Sequence, residues 1–151
     1  MNETMASLLV TSGRVLLGLY FIVPGISKIT GWQGTVDYMA SHEMVFIPFF
    51  LVLTIILQIG GGVALVAGYR TRLTAFLLAG LTLVISLIMH DFWTLPAGEL
   101  QTGHETQNFI KNMAIMAGLL VAAGLGGGPW SLDHRTSARQ AAGIEVGSTP
   151  T

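Results

Sequence analysis

The chain has 151 residues, of which 52% are hydrophobic and only 10% charged, with a formal net charge of −1 and a mean hydropathy of +0.67. Soluble domains carry about 25% charged residues, so this composition excludes a water-soluble globular protein and places the chain in a lipid bilayer. Its connections are short, which excludes a separate soluble catalytic module, and no basic surface for nucleic acid is expected.

The first apolar stretch runs from Ala6 to Ile29. Glu3 stands where a signal peptide would have a basic region, and no small-residue cleavage pattern follows "FIVPGISKI", so this stretch is expected to remain as the first transmembrane helix. Three more follow: Met44 to Tyr69, Leu73 to Met89 with an extension through Phe92 and Trp93, and Phe109 to Leu125. Each is near the ~20 residues that cross the hydrocarbon. They are apolar on all sides and lack the alternation of barrel strands, which predicts helices. Trp32, Tyr69, Trp93 and Trp130 fall where apolar runs meet polar ones, the interfacial position of amphipathic rings. The expected fold is therefore an all-α, integral membrane four-helix bundle over residues 1–134. A mobile polar tail is expected over residues 135–151, rich in small residues. Arg70, Arg72, Arg135 and Arg139 flank the second connection and the fourth span, which predicts both termini on the cytoplasmic side.

Polar residues inside the spans are the candidate site. A lysine near a helix centre costs roughly 2.5–3.5 kcal/mol on insertion scales, so it turns inward or snorkels to the interface. In the fourth span Glu105, Asn108, Lys111 and Asn112 recur at three- and four-residue spacings, which predicts one polar face turned into the bundle. In the first span Arg14, Gly18, Phe21, Gly25 and Lys28 share a face, and Arg14 is expected to be buried. Gln58 lies near the middle of the second span beside Gly60, Gly61 and Gly62, where an interhelical hydrogen bond is the plain expectation. His90 and Asp91 close the third span; His90 can serve as an interfacial residue, a proton carrier or a ligand. Lys28, His90, Asp91, Glu105, Asn108, Lys111 and Asn112 fall towards the outward side and predict an outward-opening polar pocket. Asp91 and Glu105 are the expected counter-ions of Lys28 and Lys111.

The chain contains no cysteine, which excludes dithiol relay, iron–sulfur centres, thiolate zinc and covalently attached haem within it. His42, His104 and His134 lie in connections or the tail, so a bis-histidine haem is not expected, and no metal site is assigned. "GLGGGPW", Gly124 to Trp130, ends a helix and carries no nucleotide signature.

The segments "RVLLGLYFIVPGISKITGW", "GGGVALVAGYRTRLTAFLLAG", "HDFW", "NFIKNMAIMAGLL" and "GPWSLD" occur in this order from Arg14 to Asp133. In combination they resemble the DoxX family of small bacterial membrane proteins. The resemblance implies a four-helix bundle in the cytoplasmic (inner) membrane, and places Arg14, Lys28, His90, Lys111 and Asn112 at the family's recurrent polar positions. Gln58 departs from it, since glutamate is common there. The family's relatives include a subunit linked to thiosulfate and quinone oxidation, parts of membrane redox complexes and assembly factors. The expected role is an accessory subunit with no intrinsic cofactor that binds a lipophile such as quinone beside a soluble or membrane redox partner. Transport of a small solute or ion and a purely structural role are the alternatives, and homo-oligomerisation is compatible with each.

Overall fold

A computed structural model describes residues 2–147, with side chains through residue 140. The described chain is helical: α1 (Glu3–Thr30), α2 (Trp32–Ser41), α3 (Ile47–Ala67), α4 (Thr71–Met89), α5 (Leu100–Leu125) and α6 (Leu132–Gly147), with a single 3-10 turn at Phe92–Thr94 between α4 and α5. Helices α1, α3, α4 and α5 are each long and apolar enough to cross a membrane, α4 together with its 3-10 extension. Three details differ from the sequence reading. The first connection contains α2, α5 begins nine residues before the expected Phe109, and Leu132–Gly147, most of the stretch read as a polar tail, is helical. Residues 148–151 of that tail lie outside the described residues.

The bundle is built from two closely packed pairs, α1 with α3 and α4 with α5, joined through α3 and α4. Small residues make the first pair possible. A Cβ on Gly18 would stand 2.7 Å from the Gly62 carbonyl oxygen, and one on Gly62 equally close to that of Gly18, so the two backbones touch there. Phe21, Leu65, Leu78, Ala79 and Leu119 form the core at one end, and Met39, Leu51, Ile55 and Met89 the core at the other. Large apolar side chains such as Leu16, Ile56, Phe76 and Val121 point outward. That is an inverted arrangement for water and the ordinary one for lipid.

The end of the bundle at the α3–α4 turn is locked by Arg14. Arg14 is 4% exposed, and its guanidinium donates from Nη1 to Leu65 O and from Nη2 to Trp130 O, both at 3.1 Å. A helix leaves its last carbonyls without intrahelical partners and its C-terminus partly negative, so a buried cation is well matched there. Gly68 follows in the left-handed region at φ +68°, and any side chain on it would run into that guanidinium. Asp133 closes the turn from the other side, accepting from Arg70 N at 2.7 Å and Thr71 N at 2.8 Å. These bonds hold Arg70 in its left-handed conformation, φ 44°, which a side-chain-bearing residue adopts only under constraint. Ser131 Oγ accepts from His134 N at 3.2 Å and caps α6.

Gly62→Val is expected to lower bundle stability by about 1–3 kcal/mol through overpacking. Gly60→Ala, whose Cβ meets nothing within 4 Å, is expected to be neutral or stabilising by up to about 1 kcal/mol; unfolding in detergent compares the two. Burial pushes the Asp133 carboxyl up, but the hydrogen bonds from Thr71 and Arg70 and the charge of Arg14 outweigh it and leave its pKa below the ordinary 3.8. Its contribution is therefore complete above that value and fades as pH falls through the depressed folded pKa. The Tm gap between wild type and Asp133→Asn is expected at pH 6 and should close under strong acid.

Candidate functional site

At the opposite end, α4 stops at Met89 and places His90 at its C-terminus, facing the second turn of α5. Glu105 Oε2 lies 2.7 Å from His90 Nδ1. A carboxylate accepts, so the contact assigns a hydrogen to Nδ1 and directs Nε2 away from Glu105. The side chains are only 15% and 10% exposed, respectively. Glu105 Oε1 lies 3.1 Å from the Tyr38 hydroxyl, which also reaches Met89 O at 2.8 Å, so one phenolic hydrogen serves two acceptors. Burial, then the charge of Glu105 and its hydrogen bond, with a further contribution from the charge of Asp91, push the Tyr38 phenol far above its ordinary value. It therefore remains a donor.

Helix α2 brings the second half of this cluster. Tyr38 and His42 are one turn apart on it, ring on ring at 4.7 Å between centroids. His42 Nδ1 is 2.9 Å from Tyr38 O, and its Nε2 is 3.7 Å from Asp91 Oδ1. Met39 on the same helix packs against Leu51, Ile55 and Met89, so an apolar contact fixes the height at which the two polar rings sit.

Below this cluster is a cavity of about 1130 Å³. Leu53, Leu57, Leu81 and Val84 of α3 and α4 form its apolar flank, and Lys28, Tyr38, His42 and His90 stand at its polar end. Gly34 and Gly80 are on its wall, and a Cβ at either would meet nothing within 4 Å. The volume exceeds the roughly 300–1,000 Å³ of typical small-molecule pockets, and the pattern of apolar walls with a few polar groups at one place is the same.

The sequence-predicted residues divide. His90 and Glu105 come together with Asp91 beside them in sequence, and of the predicted residues His90 and Lys28 line the cavity. Lys111 does not: it is exposed on the outer face of α5 and donates to Asn108 Oδ1 at 2.9 Å. Asn112 lies nearly two full turns beyond Glu105 and returns to the buried face, whereas Lys111 is rotated by about 100° from Asn112. The expected pairing of Lys28 and Lys111 with Asp91 and Glu105 is replaced by histidine partners for both acids. Asn112 is buried and accepts from the Tyr20 hydroxyl at 2.8 Å, tying α5 to α1. Gln58 is buried in the α1–α3 seam beside Gly25, with no partner for Oε1 among the described residues. Arg14 is at the other end of the bundle. Tyr20, Tyr38 and His42 escaped the sequence reading. The signals were a hydroxyl in mid-span that needs an acceptor, and a Tyr–His pair at helical spacing in a segment read as loop.

The DoxX family model matches residues 9–91. The chain belongs to the DoxX family. It is 38% identical over 122 residues to the inner membrane protein YqjF of Escherichia coli, covering 80% of this chain and 86% of that one. It is 32% identical over 122 residues to YphA, a second inner membrane protein of the same organism, covering 81% and 86%. CatD of Bacillus subtilis, whose name gives it a provisional oxidoreductase designation, is 36% identical over 76 residues, 50% of this chain and 54% of that one. No solved structure matches. With four apolar spans and these relatives, this DoxX protein is a multi-pass protein of the bacterial inner membrane.

Glu105→Ala leaves His90 Nδ1 without its partner and Tyr38 with Met89 O alone, and is expected to cost about 3 kcal/mol, since removing one member of a buried pair is the damaging change. Glu105→Gln keeps hydrogen-bonding capacity and should cost less. Lys111→Ala should change stability by no more than about 0.5 kcal/mol. Parallel unfolding in detergent gives the ranking.

Proposed function

We propose that this DoxX protein is an accessory membrane subunit that binds a lipophilic small molecule, in the first instance a quinone, and supports a redox partner that carries the electrons. The observation behind this reading is the cavity, apolar along α3 and α4 and ending at Lys28, Tyr38, His42 and His90. A quinone has the same division into an apolar body and polar oxygens. Lys28 is a donor for a carbonyl oxygen, and His90 Nε2, the ring nitrogen that does not face Glu105, is placed for proton exchange with the head. Glu105 acts through His90 by orienting the ring. The provisional oxidoreductase designation of CatD points the same way. Arg14, whose charge motivates a transport reading, is committed to two backbone carbonyls at the other end, so the cavity carries the ligand reading further than Arg14 carries transport. The arginines at 70, 72, 135 and 139 favour an orientation with the His90 end outward.

Solvent extraction of protein purified in mild detergent, followed by mass spectrometry, is expected to recover stoichiometric quinone from the wild type. Gly80→Leu directs a side chain into open space on the cavity wall, so it should fold and lose most of that quinone. A folded wild type that carries no lipophile and takes up none when supplied would sink the assignment and leave the structural role.

A further inference from the structure

Charges at the polar end of the cavity are unequally matched. Glu105 is engaged by His90 and Tyr38. Asp91 accepts from Thr94 Oγ1 at 3.0 Å and faces His42 Nε2 at 3.7 Å. Glu43, the one acid that lines the cavity, is exposed and forms no ion pair among the described residues. Lys28 is half-buried in the last turn of α1 on the same wall. Its ammonium makes no hydrogen bond or ion pair to any described residue. The helix end does not occupy it either: Ser27 and Thr30 turn back onto Val23 O and Ser27 O, while Lys28 does not.

An ammonium carries three donors and no acceptor, and holding it beside hydrocarbon without a partner is costly. Glu105 and Asp91 face His90 and His42, and Glu43, the one acid lining the cavity, is exposed and not within ion-pair reach of Lys28, so the missing acceptor is an oxygen brought in by whatever fills the cavity. A neutral carbonyl satisfies one donor. An anionic oxygen also cancels the charge, and the interaction gains strength because the flank of the cavity is apolar and of low dielectric. The imidazoles of His42 and His90 stand on the same wall and add no negative charge, and the one carboxylate on the lining, Glu43, is exposed, where water and salt screen it.

Resting on the ligand reading above, we infer that Lys28 is the specificity-determining residue of the cavity and selects amphiphiles whose head carries a negatively charged oxygen over neutral heads of the same size. An ionised hydroxyquinone and a fatty carboxylate share that chemistry. The alkyl part runs along Leu53, Leu57, Leu81 and Val84, and the charged oxygen meets the ammonium.

The test uses the full chain in nanodiscs of zwitterionic lipid at neutral pH. It is titrated with three probes bearing the same alkyl chain: an ionised hydroxynaphthoquinone, its neutral methyl ether and a fatty carboxylate. Wild type should bind the ionised quinone at least about ten-fold more tightly than the ether, the scale of a charge-assisted over a neutral hydrogen bond. Lys28→Met should bind the ionised quinone no more tightly than the ether, with the larger loss falling on the ionised form, and Lys28→Arg should keep the preference. The wild-type comparison stands even where a variant fails to fold. Equal binding of ionised and ether forms by wild type overturns charge selection while leaving the lipophile cavity intact. Binding of neither quinone removes the quinone reading beneath it. Carboxylate binding comparable to that of the ionised quinone extends the selection to acidic amphiphiles in general, and carboxylate binding no tighter than the ether confines it to the quinone class.

Discussion

Hydrocarbon offers no hydrogen bonds, so a polar group inside the bilayer must find its partner in the protein, and this constraint arranges most of the molecule. Thr82 and Ser86, buried on α4, return their hydroxyls to the carbonyls one turn back, Leu78 O and Thr82 O. The Tyr20 hydroxyl reaches across to Asn112 and supplies a directional bond between α1 and α5, which otherwise meet sparsely. Pro24 in α1 has no N–H to give to the Tyr20 carbonyl, one turn earlier. Arg14 is the largest instance. A guanidinium in a membrane helix is tolerated here because it supplies what a helix C-terminus lacks, a donor for one of the last carbonyls of α3, Leu65 O.

The two ends of the bundle apply the same rule differently. At the α3–α4 turn the polar groups are consumed by the backbone: Arg14 by carbonyls, Asp133 by amides, Ser131 by the start of α6. Arg14 Nε and Thr71 Oγ1 are buried atoms there without a partner among the described residues. At the His90 end the partners include side chains, Glu105 for His90 and Tyr38, and the groups border the larger of two cavities, about 1130 Å³ against about 600 Å³ at the α3–α4 turn. Closed backbone contacts build a frame, whereas partly open side-chain contacts leave donors and acceptors for a second molecule. That contrast, more than any single residue, is why the ligand reading belongs to this end.

Much of the frame was legible because the signals that set it are local and long-range in hydropathy. Four apolar runs of membrane length could scarcely be anything but spans, and the small residues Gly18 and Gly25 on one face of the first span announced close helix approach. Arg14 was legible as a buried group because its face also carried glycines. The site was legible only in part, for a geometric reason. The polar spacing of Glu105, Asn108, Lys111 and Asn112 was read as one face, but three- and four-residue steps drift around a helix with 3.6 residues per turn. Glu105 and Asn112 remain buried while Lys111 turns to the outer surface. Pairing was illegible for another reason. Opposite charges suggested lysine partners for both acids, and the tertiary approach of α2 and α4 delivered His42 and His90 first. Helix α2 itself, ten residues with mixed polarity, carried no strong periodic signal, and with it went Tyr38 and His42.

The segment matched by the family model, residues 9–91, supplies Lys28, Tyr38, His42 and His90, which are the groups facing the cavity. Glu105 comes from α5, outside that segment, and yet it makes the contacts that assign the His90 hydrogen to Nδ1 and engage Tyr38. Helix α5 also contributes Leu119 to the core, where Leu65, Leu78 and Ala79 would otherwise face lipid. The last transmembrane helix thus does two jobs with residues fourteen positions apart, near four turns of helix. Leu119 holds it against α4, and that seating brings the Glu105 carboxylate to the height of His90. A change in packing at Leu119 therefore reaches the cavity through the position of one carboxylate, which makes orientation of His90 a property of the bundle as well as of the site.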